Sequence, residues 1–65
     1  MTIATTTGPS GSRYELRDND RGTADLHLVA AGESVVMLTD VDPEDFEVAA
    51  DAADEEVRVV LATAL

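Results

Sequence analysis

The run Val41-Asp42-Pro43-Glu44-Asp45-Phe46 constrains this chain more than any other segment, because it can only open a helix. Asp42 stands where a side-chain oxygen caps the first free backbone N–H groups. Pro43 follows at the first helical position, where its missing N–H costs nothing. Glu44 and Asp45 put negative charge in the first turn, on the positive end of the helix dipole. Val41 and Phe46 have the spacing of a hydrophobic staple. The run divides the chain into a strand-patterned part before it and a helix-patterned part after it.

Upstream, apolar residues alternate. Tyr14 and Leu16 share one face of a strand, with Arg13, Glu15 and Arg17 on the other. Asp18-Asn19-Asp20-Arg21-Gly22 supplies turn residues, and a second strand then places Ala24, Leu26, Leu28 and Ala30 on one face. Ala31-Gly32-Glu33 makes a short loop into a third strand, Val35 to Thr39. Apolar residues occupy both faces of that strand, so it is expected to be the most buried one or to form an interface. Residues 1–12 are small and polar, with Gly8, Pro9 and Gly11, and read as an arm that is flexible or pinned by a partner.

Downstream, Phe46, Ala49, Ala50, Ala53, Val57, Val60, Leu61 and Ala64 recur at spacings of three and four, as on one face of an amphipathic helix. Val57-Arg58-Val59-Val60-Leu61 is also β-branched enough to suit a fourth strand, so residues 55–64 are open between helix and strand. The expected fold is α+β: a three-stranded antiparallel meander and one C-terminal amphipathic helix, a single domain over residues 13–65, preceded by the arm. The terminal Leu-Ala-Thr-Ala-Leu has no polar cap, which suggests a covered end.

Sixty-five residues make one small domain, and a chain of this size buries only about 60% of its unfolded surface. With no cysteine and only Tyr14 and Phe46 as aromatic residues, neither disulfides nor large rings reinforce the core. A partner surface is the expected reinforcement.

The net charge is −10, from 14 acids against four basic residues, all of them arginine. Such a charge repels phosphate backbones and anionic membranes, so direct nucleic-acid or membrane binding is not expected. No apolar run approaches the roughly 20 residues of a membrane span, and residues 1–12 are not expected to act as a secretory signal. The expected location is cytoplasmic, or a virion if the source is viral. Residues 1–39 carry five acids and three arginines, net −2, whereas residues 40–65 carry nine acids and one arginine, net −8. The acidity belongs to the helical part.

Catalytic chemistry finds little to work with. His27 is the only histidine, there is no lysine, and Ser10, Ser12 and Ser34 stand outside any nucleophile motif. Asp18-x-Asp20-x-Gly22 lacks the glycine and glutamate positions of a calcium loop and reads as a turn. The acids at 40, 42, 44 and 45 are explained by capping. No enzyme activity, cofactor, metal or small-molecule substrate is expected, and no known family is recognisable in the residues.

Two functional expectations remain. The first is a structural or interaction protein in a homo-oligomer or larger assembly, such as a virion component that decorates or cements a capsid, or an accessory subunit. Its contacts would be made by Ile3, Val36, Leu38 and Leu65. The alternative is an acidic inhibitor (a nucleic-acid mimic, antitoxin or anti-defence protein) that fills a basic partner surface with Glu44, Glu47, Asp51, Asp54 and Glu55.

Overall fold

The computed structural model describes residues 1–64. Four strands, β1 (Thr2–Thr7), β2 (Arg13–Asp18), β3 (Ala24–Ala30) and β4 (Glu33–Val41), form one antiparallel sheet in the order β1-β2-β3-β4. A 3-10 turn over Pro43–Asp45 then leads into the helix α1 (Phe46–Thr63). The class is the expected α+β, with one strand more than the sequence suggested.

The extra strand is the supposed arm. Thr2–Thr7 pairs with β2, placing Ala4 opposite Leu16 and Thr6 opposite Tyr14. Its turn is closed by hydrogen bonds from Gly11 N to Gly8 O (2.9 Å) and from Gly8 N to Ser12 O (2.8 Å). Threonine is β-branched and favours strands. Without alternating large apolar residues, however, the segment lacks the periodic signal of a half-buried strand.

Register explains how the core is assembled. Tyr14 lies opposite Leu28, Leu16 opposite Leu26, and Ala24 opposite Val41, so one face of the sheet gathers the apolar residues. Phe46, Ala50 and Ala53 of α1 pack on that face with Tyr14, Leu16, Ala24, Leu26 and Val41. Alanine dominates the helix side of the interface and lets the helix approach the large side chains of the sheet closely. Asp42 caps the entry as expected: its carboxylate accepts from Glu44 N at 3.0 Å, and Val41 and Phe46 both join the core.

Two expectations about burial are corrected. Of the two outcomes expected for the third strand, burial is the one overturned: β4 is an edge, and only Met37 and Val41 along it escape full exposure. Its register slips opposite Leu26 and His27, so strict alternation fails there and apolar residues turn outward on both faces. Residues 55–64 settle as helix through Thr63, yet the apolar stripe is buried only in its first half. Beyond Val57 every described helical residue is exposed, including Val59, Val60 and Leu61. Eighteen residues make a helix of about 27 Å, and only residues of its first half join the core.

Candidate functional site

Two features are candidates: a buried polar cluster under the helix, and an apolar tract along β4 and the outer half of α1.

The polar cluster centres on Asp54, which is 0% exposed. Its Oδ1 accepts from Ser10 Oγ at 2.6 Å and from Tyr14 OH at 2.7 Å. Its Oδ2 accepts from the Ser10 backbone N–H at 3.0 Å and faces Arg58 Nε at 3.2 Å. A carboxylate has about four acceptor positions, and all are filled here. The Ser10 hydroxyl is in turn bonded to that of Ser12 at 2.8 Å.

Burial by itself would raise the Asp54 pKa, but the bonds from Ser10 and Tyr14 and the charge of Arg58 outweigh it, so the net shift is downward. Burial, with the adjoining carboxylate, pushes the Tyr14 phenol up to about 12. At neutral pH the cluster therefore holds an ionised carboxylate and a neutral phenol. It has no free acceptor for a substrate proton, and its chemistry is that of a clasp joining the β1–β2 turn, strand β2 and α1.

Gly8 makes the clasp possible. A Cβ at that position would lie 2.5 Å from Asp54 Cγ, so only glycine lets the turn pass over the carboxylate. Asp54 is thus removed from the acidic stripe to which its charge and spacing assigned it. On a helical wheel it lies between Ala50 and Ala53 on one side and Glu47 and Asp51 on the other, at the border of the buried face. The signal that identifies it is not on the helix at all; it is the Gly8–Tyr14 segment that supplies its donors.

The other stripe residues, Glu44, Glu47, Asp51 and Glu55, are exposed, and Glu47, Asp51 and Glu55 follow one another at four-residue spacing along α1. Glu47 and Asp51 line a hollow beside the β1–β2 turn, with Thr6, Thr7 and Pro9. Glu55, one turn beyond Asp51, also borders Ala52, Glu56, Val59 and Val60. Glu44 belongs to the entry turn.

The apolar set divides. Ile3 is 49% exposed but belongs to β1, the opposite edge of the sheet from Val36 and Leu38 on β4. Leu65 lies outside the described residues. Around Leu38, however, the structure adds residues not assigned to a contact from the sequence, whereas Val36 pairs with His27 on the sheet face away from the helix. A groove of about 280 Å³ runs between sheet and helix, lined by Leu28, Met37, Glu56, Val57, Val60 and Leu61. A smaller hollow lined by Met37, Leu38, Ala52, Ala53 and Glu56 brings the helix alongside β4.

The remaining polar residues serve turns. Asp40, with φ of 54°, accepts from Thr23 Oγ1 (3.0 Å), Arg21 Nε (3.1 Å) and Asn19 Nδ2 (3.1 Å), tying the β2–β3 loop to the end of β4. Asp18 Oδ1 accepts from Asp20 N at 3.2 Å, so the Asp-x-Asp-x-Gly run is a side-chain-stabilised turn. His27 lies on the sheet face opposite the helix, between Glu15 and Val36, and its Nδ1 is buried without a hydrogen-bond partner. Among the described residues no group of three or more His, Asp or Glu is arranged to hold a metal ion, and no helix is long and apolar enough to cross a membrane. No protein-family model matches the sequence, and no curated protein or solved structure is significantly similar to the chain.

Proposed function

We propose that this chain is a non-enzymatic interaction protein, working as an accessory or shell-decorating component of a larger assembly. The observation that carries the reading is the unburied outer half of α1. Val59, Val60 and Leu61 are 59%, 64% and 52% exposed, Val60 and Leu61 share a groove with Met37 of the edge strand, and Val35, Val36 and Leu38 of that strand are exposed too. A chain this small gains most of its stability from apolar burial. Leaving this much aliphatic surface in water is unfavourable unless another surface covers it.

The contact surface in this reading is β4 with the outer helix, and it no longer includes the N-terminal segment, which is a strand of the domain itself. The test is the molar mass of the native particle that contains the chain, measured by light scattering on material isolated under mild conditions. A mass well above one chain, lost on Val59→Ser with Leu61→Ser, is the expected result. A free monomer at about 1 μM, a concentration at which specific complexes commonly persist, would sink the reading.

The acidic-inhibitor reading retains one support, the exposed pair Glu47 and Asp51 beside the β1–β2 turn. It requires that Glu47→Lys with Asp51→Lys abolish partner binding while the Val59 and Leu61 changes spare it.

A further inference from the structure

We infer that the free edge of β4 accepts an extended segment of a basic partner as a fifth strand, roofed by the outer half of α1. The inference rests on the interaction reading above and names the partner's chemistry.

Three observations converge on this surface. First, β4 ends the sheet, so the backbone N–H and C=O groups along its outer side have no strand to pair with. Natural edges of this kind are usually blunted by lysine, proline or an inward charge. Between Ser34 and Leu38 this edge has none of these, its one interruption being the register slip between Val36 and Leu38, and Val35, Val36 and Leu38 are exposed along it.

Second, the helix provides cover beside that edge. Ala52 and Glu56 reach β4 at Met37 and Leu38, and the exposed helix surface of Ala52, Glu55, Glu56, Val59 and Val60 continues from them. A strand added to β4 would lie beneath this side of the helix, with its apolar residues against Ala52, Val59 and Val60. A helical partner could fill the groove but would leave the strand edge unpaired, so an extended segment uses more of the surface.

Third, the charge is one-sided. The groove is rimmed by Glu55 and Glu56, in the part of the chain that carries net −8. The only arginine of that part, Arg58, is engaged by Asp54 at 3.2 Å. The complement is a segment with an apolar centre and Lys or Arg at its flanks. A second copy fits poorly: antiparallel pairing of two β4 edges brings Glu33 of one near Asp40 of the other, between two chains of −10 each.

The probe is a labelled, capped peptide of about eight residues, the length of an ordinary strand, with alternating valine and threonine between arginine flanks. Binding to the intact chain is read by fluorescence anisotropy, and its location by amide NMR shifts. Expected are salt-sensitive binding, shifts confined to Val35–Leu38 and to helix residues 52–60, and about tenfold weakening by Glu55→Lys with Glu56→Lys, whose folding is checked by circular dichroism. N-methylating the peptide at alternate residues should abolish binding in the register that removes its donors to β4.

Equal binding by both N-methylated peptides or by a glutamate-flanked peptide overturns the inference, as do shifts centred on Glu47 and Asp51. No binding at about 1 mM peptide, a very weak limit, overturns it too. So does a concentration-dependent dimer that shifts the β4 amides without peptide. If the native particle is large while the peptide fails, the interaction reading stands and this one falls; if the native chain is a free monomer, both fall.

Discussion

At the scale of single residues, Asp54 does what a surface acid cannot. A buried carboxylate is costly unless every acceptor position is met, and Ser10, Tyr14 and Arg58 meet them from three separate segments. Tyr14→Phe removes one donor and leaves Oδ1 underbonded, at a cost of about 1–3 kcal/mol. Asp54→Ala removes the acceptor for four donors and is expected to lower the urea midpoint further than Tyr14→Phe. Gly8→Ala is expected to be comparably damaging, since the new methyl group overlaps the carboxylate.

The pH dependence has two limbs with opposite signs. The folded-state pKa of Asp54 is depressed, so its contribution is present above the ordinary carboxylate pKa and is lost as pH falls through the lower folded value. The Tyr14 pKa is raised from 10.0 to about 12, so its contribution is complete below pH 10.0 and is lost as pH rises through about 12. Denaturant midpoints measured across pH should fall at both ends, and Tyr14→Phe should remove the alkaline fall attributable to this residue.

At the scale of elements, β1 and the β3–β4 turn make separate predictions. Deleting residues 1–12 removes a paired strand and two of the four donors to Asp54, so the truncated chain is expected to lose its cooperative thermal transition. The turn between β3 and β4 holds Ala31 at φ 52° and Gly32 at φ 81°, the geometry that favours Asn-Gly. Ala31 bears the steric cost of a left-handed conformation. Ala31→Asn is expected to raise stability by about 0.5–1 kcal/mol in a denaturant titration. The outer half of α1 is the opposite case: Val59→Ser or Leu61→Ser should change monomer stability by less than about 0.5 kcal/mol, because neither side chain joins the core.

At the scale of the whole molecule, a net charge of −10 acts on a fold with a thin core. Mutual repulsion of that many acids opposes the compact state and is screened by salt. The few ion pairs, Arg21 with Asp40 at 3.0 Å and Arg58 with Asp54 at 3.2 Å among them, are too few to reverse the balance. The thermal midpoint should rise as sodium chloride increases from about 10 to about 150 mM, over which the Debye length shrinks from roughly 30 to 8 Å. The molecule measures 39 × 24 × 15 Å, which is long for its mass. Charge and shape together leave the exposed apolar half of α1 as the surface to examine for partners.

What the sequence by itself determined were the features set by neighbours along the chain. The Asp42-Pro43 helix start, strands β2 and β3 with Tyr14, Leu16 and Leu26 inward, and the concentration of charge after residue 39 all follow from local capping, alternation and composition. Tertiary structure alone decided the rest. Thr2–Thr7 becomes a strand because β2 offers it an edge, and β4 is exposed because no strand among the described residues pairs with its outer side. Asp54 is buried because donors forty or more residues away converge on it. The acid at the border of a helical stripe has the same local pattern whether it meets water or a serine and a tyrosine, and only the folded chain brings those two hydroxyls to it.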